Sequence, residues 1–168
     1  MVFGHRALLL ALLAAGCSPP PAASAALSPE VAARVDREVR AFAKTVAQDV
    51  TRDGPAAWNT YFQDSPAFFM ADEGQLVFPS RSAATAAIRQ LVNGIKHIEL
   101  QWGPDLRVDP LTASLAVLAA SYHEVRLDTA GQTVDEHGFL TALCEERGGR
   151  WQFRNAHWSV EAPPAAVH

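Results

Sequence analysis

Tyr122 and Glu124 are two residues apart on a segment whose residues alternate like those of a β-strand. Because successive side chains of a strand point to opposite faces, the tyrosine and the carboxyl group must share one face. A carboxyl group close to strong hydrogen-bond donors is the arrangement that moves protons on a bound substrate. This face is therefore the one most suited to chemistry.

His123, His137 and Asp135 fall close together if the chain turns back through a short loop between Asp128 and Gln132. Two histidines and a carboxylate are enough for a metal site. Histidines on strands near a sheet edge are often solvated, however, and the sequence shows no short spacing between ligands. We therefore predict no metal site and no other cofactor.

The same turn sorts the long strands into a face of mostly small residues and a bulky face. Small side chains leave the room that a cavity needs, so we predict that the small-residue face lines a ligand pocket. Its residues are Ala116, Leu118, Ala120, Tyr122, Glu124, Glu136, Gly138, Leu140, Ala142, Cys144, Ala156 and Trp158. On the last strand, the bulky face would carry Trp151, Phe153, Asn155, His157 and Ser159. A single bulge would exchange the faces, so His157 and Trp158 are both pocket candidates.

Aromatic side chains in the N-terminal half predict the remaining walls of the pocket. They are Trp58, Tyr61, Phe62, Phe69 and Phe78. Aromatic residues also dominate the cores of small domains, so ordinary core packing is the alternative for each of them. A pocket with these walls would hold a small, mostly hydrophobic molecule.

Periodicity and turn signals predict the elements that must position these residues. Ser28-Pro29-Glu30 begins a helix whose apolar stripe continues to Val50, and Asp53-Gly54-Pro55 ends it. A short second helix, two short strands and a third helix follow. The remaining β segments lie at residues 95–102, 106–109 and 114–127 and in a hairpin around Gly148-Gly149. This order predicts an α+β fold.

The final hairpin, residues 141–159, resembles the closing hairpin of the nuclear transport factor 2-like superfamily, which includes ketosteroid isomerase and SnoaL-like proteins. The resemblance implies a cone-shaped fold, with three N-terminal helices packed on a strongly curved antiparallel sheet, and a homodimer. It implies a site that contains Trp158 and in which Tyr61 donates a hydrogen bond. The pattern of Trp151, His157 and Ser159 also resembles the association domain of calcium/calmodulin-dependent kinases, which is not an enzyme.

These observations lead us to expect a non-catalytic module that binds a small apolar ligand or associates through its sheet. The alternative is an isomerase, cyclase or hydrolase that resembles ketosteroid isomerase and acts on a small hydrophobic substrate. The sequence contains neither a Gly-x-Ser-x-Gly turn nor a glycine-rich phosphate loop. The net charge is −4 and basic residues are not clustered, which argues against a nucleic-acid partner.

The first residues of the chain predict export. Residues 1–16 combine a short basic segment, an apolar run too short to span a bilayer, and small residues before Cys17, as in a lipoprotein signal peptide. Acylation of Cys17 would anchor the protein to a membrane facing the periplasm or the cell surface. A cut after Ala25 would instead secrete it. If Cys17 is acylated, Cys144 has no partner within the chain, and we expect it to be a buried thiol.

The mature chain divides into three predicted parts. Residues 17–27 are rich in proline, alanine and serine and predict a tether. Residues 28–160 carry the folded domain, and residues 161–168 form a disordered tail. Contact with a membrane is expected through the lipid anchor alone.

Overall fold

The computed structural model describes residues 26–161. Its helices are α1 (Pro29–Asp53), α2 (Trp58–Tyr61) and α3 (Arg81–Gly94), and a 3₁₀ turn (Gly54–Ala57) separates the first two. Its strands are β1 (Phe69–Asp72), β2 (Gln75–Phe78), β3 (Ile95–Trp102), β4 (Arg107–Pro110), β5 (Leu115–Asp128), β6 (Thr133–Arg147) and β7 (Arg150–Val160). The predicted signal peptide at residues 1–16, the lipidation site Cys17, and most of the tether and tail lie outside the described residues.

Helix α1 covers the sheet, and its sequence explains where it begins and ends. The Ser28 hydroxyl accepts a hydrogen bond from the Val31 backbone N–H, and Gly54 follows the last turn with a φ of 73°. The buried stripe of the helix packs against β3, β4 and β5. It consists of Val35, Val39, Phe42, Ala43, Val46 and Val50, as the helical spacing predicts.

The seven strands form one curved sheet in the order β2-β1-β7-β6-β5-β3. Strand β4 pairs with the first part of β5, at residues 116–119, and β3 pairs with the rest of β5, at residues 122–128. The sheet is mixed, because β1 runs parallel to β7 with Met70 opposite Ala156. The expectation of a purely antiparallel sheet is therefore wrong at this pair. The cause is the path of the chain after α2, where Phe62 already bridges Phe153 in parallel and the Gln63 N–H bonds the Phe153 carbonyl at 2.9 Å.

The register of β5 and β6 confirms the predicted loop. The Asp128 N–H donates to the Gln132 carbonyl at 2.9 Å, and Glu124 stands opposite Glu136. Residues of like parity therefore share a face on both strands. We call the face that carries Leu118, Tyr122 and Glu124 the inner face, since these residues are buried under the helices.

A bulge at Arg154 changes the orientation of half of β7. Trp158 stands opposite Leu140, but Phe153 stands opposite Cys144, so Arg154 is an extra residue. Phe153 therefore joins the core, with its ring 4.9 Å from that of Phe42, and the prediction that it shares a face with His157 is wrong.

Within the described residues, none of the helices is both long enough and apolar enough to cross a membrane. Helices α1 and α3, together with the inner face, enclose the hydrophobic core. At one end of the core the side chains do not meet, and the space left there is the candidate site.

Candidate functional site

A cavity of about 200 Å³ lies between the inner face and the segments around α2, β1, β2 and α3. One part of its wall is apolar, and its residues include Trp58, Phe62, Met70, Phe78, Ile88 and Trp158. The other part is polar, and its residues are Asp72, Tyr122, Glu124, Arg126 and Glu136. We call these two parts the apolar wall and the polar end.

The apolar wall is held in place by packing between aromatic rings. Trp58 stacks on Phe62 with ring centroids 5.5 Å apart and meets Trp158 edge to face at 5.7 Å. Trp158 in turn meets the ring of Tyr122 at 4.9 Å. Since such pairs hold each other in specific orientations, the wall is a pre-formed surface for an apolar ligand.

Tyr122 reaches into the cavity because its cross-strand partner is a glycine. Gly138 stands opposite Tyr122 on β6, and a Cβ atom at this position would lie 2.6 Å from the tyrosine ring. The missing side chain leaves the ring free to lie against the strand. The hydroxyl then reaches the polar end, where it donates to Glu136 Oε1 at 2.9 Å.

Arg126 joins two carboxyl groups at the polar end. Its Nη2 atom lies 2.7 Å from Glu136 Oε2, and its Nε atom lies 3.3 Å from Glu124 Oε1. Glu136 thus accepts hydrogen bonds from both Arg126 and Tyr122. The two contacts hold the Glu136 side chain in one position between Arg126 and Tyr122.

Glu124 differs from Glu136 because it is more deeply buried, with 8% of its surface exposed. Burial raises the pKa of Glu124 to about 7, although the charge of Arg126 acts in the opposite direction. The neighbouring charge of Glu136 raises this pKa further. At neutral pH, Glu124 therefore exists in both protonation states and is able to accept or to release a proton.

Asp72 brings a third carboxyl group to the polar end from the end of β1. Its Oδ1 atom is buried and has no hydrogen-bond partner among the residues described. Burial raises the pKa of Asp72, and the charges of Glu73 and Glu136 act in the same direction. Because the Oδ1 atom has almost no accessible surface, a ligand could bond to it only after neighbouring side chains had moved.

Six of the nine predicted pocket residues line this cavity: Trp58, Phe62, Phe78, Tyr122, Glu124 and Trp158. The other three lie elsewhere. The Tyr61 hydroxyl bonds Asp49 of α1, Phe69 is 46% exposed beside the inward-facing Met70, and His157 is exposed on the outer face of β7. For Phe69 and His157 the strand alternation accounts for the difference, since each adjoins a residue that faces inward.

Sequence reasoning missed Asp72, Arg126 and Glu136 as site residues. Glu136 was already on the predicted inner face, and the predicted strand at 114–127 includes Arg126, which has the same parity as Tyr122 and Glu124. Asp72 carried no comparable signal, because Asp72-Glu73-Gly74 has the composition of an ordinary turn. Its position follows from the parallel pairing of Asp72 with Trp158.

The sequence matches no protein-family model and no curated protein at a significant level. A scytalone-dehydratase-like protein from Novosphingobium aromaticivorans has a similar structure, with a TM-score of 0.65 and 10% identity over 79% of this chain and 88% of that one. A nuclear transport factor 2-like superfamily protein from Salmonella enterica is similar with a TM-score of 0.61 and 13% identity. The match covers 82% of this chain and 95% of that one. A hexachlorocyclohexane dehydrochlorinase from Novosphingobium barchaimii is similar with a TM-score of 0.59 and 13% identity. The match covers 79% of this chain and 91% of that one.

Identities this low define a fold and no more. The fold is the nuclear transport factor 2-like α+β cone, with a curved mixed sheet of seven strands covered by N-terminal helices.

Proposed function

We propose that this protein binds a small, mostly apolar molecule in its cavity and that Glu124 transfers a proton to or from it. The observation that carries the proposal is a buried carboxyl group with a pKa of about 7 at the polar end of an otherwise aromatic cavity. Buried groups with strongly shifted pKa values are concentrated at catalytic sites, and burying a carboxyl group costs stability. The geometry thus favours the catalytic alternative over a purely binding module.

The size of the cavity limits the ligand. A cavity of about 150 Å³ accommodates a benzene molecule. The volume of about 200 Å³ found here therefore suits a molecule with one ring and a few substituents. The aromatic wall binds the ring, and the polar end binds a substituent that donates or accepts hydrogen bonds.

The reaction class that fits these groups is proton abstraction followed by isomerisation or elimination. The Glu124 carboxylate would accept a proton from a carbon atom, and the electron pair of the C–H bond would form a new double bond. In an isomerisation, the double bond of the substrate shifts and Glu124 returns the proton to another carbon. In an elimination, a leaving group departs with its bonding electrons. Two of the similar structures are named as a dehydratase-like protein and a dehydrochlorinase, which agrees with the second route.

The neighbours of Glu124 would keep its pKa in the working range. Burial alone favours the protonated acid, whereas the charge of Arg126 favours the carboxylate. Tyr122 and Glu136 hold Arg126 in place through a continuous set of hydrogen bonds. We assign these three residues positioning roles rather than direct contact with the reacting atoms.

The proposal is tested by separating binding from proton transfer. Small cyclic ketones and cyclic alcohols are titrated against the tag-free domain, and quenching of tryptophan fluorescence reports binding near Trp58 and Trp158. The ketones that bind are then incubated in D₂O with the wild type or with Glu124→Gln, and NMR spectroscopy follows exchange of the C–H protons next to the carbonyl group. We expect exchange with the wild type and a loss of about 100-fold or more in the variant, with binding retained.

Glu99→Gln is the matched control, since Glu99 is an exposed carboxyl group on the neighbouring strand β3. Equal exchange rates for the wild type and Glu124→Gln would refute the catalytic role. Binding without exchange in the wild type would instead indicate a non-catalytic ligand-binding module.

A further inference from the structure

His123, His137 and Asp135 form a cluster on the face of the sheet that points away from the cavity. The two imidazole rings stack in parallel, with centroids 4.2 Å apart and an interplanar angle of 1°. Asp135 Oδ1 lies 2.7 Å from Nε2 of His123 and 3.7 Å from Nε2 of His137. The three side chains are partly or largely exposed, so solvent and ions reach them directly.

The sheet itself brings these residues together. His123 on β5 and His137 on β6 stand directly opposite each other, and Asp135 lies two residues before His137 on the same face. The loop between Asp128 and Gln132 fixes this register, and the flanking strands β3 and β7 hold β5 and β6 on both sides. The cluster therefore stands on a rigid framework, as a pre-organised ligand site requires.

The separations between the donor atoms are close to those of a metal site. One donor atom from each of the three residues lies within 4.8 Å of the others. A tetrahedral zinc ion with bonds of about 2.0–2.1 Å holds its ligand atoms about 3.4 Å apart. The distance of 3.7 Å between His137 and Asp135 is near this value, and that of 2.7 Å between His123 and Asp135 would lengthen as an ion entered. The two rings would also have to tilt out of their parallel stack, since the Nε2 lone pairs lie in the ring planes and must converge on one ion. Both histidines are partly exposed, which leaves their side chains room to rotate.

We propose that His123, Asp135 and His137 bind a divalent cation of the zinc class on the outer face of the sheet. Imidazole nitrogen together with a carboxylate oxygen is a donor set that zinc accepts, and it suits calcium and magnesium poorly. The ion would bind the Nε2 atoms that lie near Asp135. Three protein ligands leave at least one coordination position to water. The site is separate from the cavity, because residues 123, 135 and 137 have the opposite parity to Glu124 and Glu136.

The test uses Zn²⁺ alone and the tag-free mature chain, from which metal has first been removed with a chelator. Competition with a chromophoric zinc indicator gives the number of ions bound and the dissociation constant. We expect one ion per chain, with at least about tenfold weaker binding in His123→Ala, His137→Ala and Asp135→Asn, since losing even an outer-shell partner of a metal costs 10–100-fold. In the wild type, Zn²⁺ should selectively shift the imidazole NMR signals of His123 and His137.

His97→Ala is the matched control. His97 is also an exposed strand histidine with a carboxylate nearby, 3.0 Å from Glu99 Oε1, but its register partner is Leu127 rather than a second histidine. The control variant should bind Zn²⁺ like the wild type. Far-UV circular dichroism and thermal unfolding without metal verify that each variant is folded.

Two results would overturn the proposal. One is the absence of Zn²⁺ binding to the wild-type protein at micromolar concentrations, where we expect one ion per chain. The other is an affinity that falls equally in His97→Ala and in His123→Ala, which would indicate non-specific binding to surface histidines.

Discussion

Replacing Glu124 by glutamine should change the pH dependence of folding stability by an amount that follows from its burial. The pKa of Glu124 is raised from an ordinary value of 4.5 to about 7 in the folded protein. Burial is the main cause, and each pKa unit corresponds to about 1.4 kcal/mol of differential stability. Ionisation of Glu124 in the folded state therefore costs about 3 kcal/mol.

The sign follows from the direction of the shift. A carboxyl group with a raised pKa in the folded state binds its proton more tightly there than in the unfolded chain. Its contribution to stability is fully present below about pH 4.5 and is lost as the pH rises to about 7. Glutamine does not titrate. The free energy of unfolding of Glu124→Gln should therefore rise by about 3 kcal/mol relative to that of the wild type between pH 4.5 and pH 8.

Urea unfolding at several pH values measures this change as a difference between the variant and the wild type. Asp72 also has a raised pKa, but it is present in both proteins, so its contribution largely cancels in the difference. Glu99→Gln, at an exposed position, should show a small difference at every pH. A stability difference between Glu124→Gln and the wild type that is the same at pH 4.5 and pH 8 would refute the reasoning.

The remaining predictions concern the residues that support the site and the proposed lipid anchor at Cys17. Arg126→Gln removes the guanidinium beside Glu124 and Glu136, so the pKa of Glu124 should rise further. NMR titration of the Glu124 carboxyl carbon would detect this rise. An unchanged pKa would argue against the ion pair between Arg126 and Glu124. Gly138→Ala places a Cβ atom against the Tyr122 ring and the neighbouring strand, so it should destabilise the fold by about 1–3 kcal/mol. Thermal unfolding measures this loss, and a variant as stable as the wild type would contradict the prediction. Cys17→Ser should move the expressed protein from the membrane fraction to the soluble exported fraction, as judged by cell fractionation and by mass spectrometry of the N-terminus. An unchanged membrane fraction would argue against the lipid anchor.

Much of the inner face could be predicted from strand parity, because one short loop fixes the register of β5 and β6. That rule places Tyr122, Glu124 and Trp158 together, and all three line the cavity. It fails at Phe153, where the bulge at Arg154 exchanges the faces of the strand. A bulge leaves little trace in composition, so the alternation alone gives no warning of it.

The parallel pairing of β1 is the second feature that local patterns do not contain. It depends on where the chain emerges after α2, and this is set by tertiary packing of Phe62 near Phe153. The pairing brings Asp72 beside Trp158 and so adds a carboxyl group to the polar end. Periodicity does not contain the non-local pairing that supplies Asp72, whereas the parity of β5 and β6 is sufficient to place Arg126 and Glu136 on the inner face.

The three carboxyl groups at the polar end are chemically alike, and only their surroundings distinguish them. Glu136 accepts hydrogen bonds from Tyr122 and Arg126, whereas burial raises the pKa of Glu124 to about 7 and also raises the pKa of Asp72. Such differences in environment allow one of several carboxyl groups to act as the proton carrier. Arg126 contacts both glutamates and, among the residues described, is the one basic side chain that lines this end of the cavity. For the ligand that we propose, three carboxyl groups beside one guanidinium favour a neutral or cationic molecule with a hydrogen-bond donor over an anion.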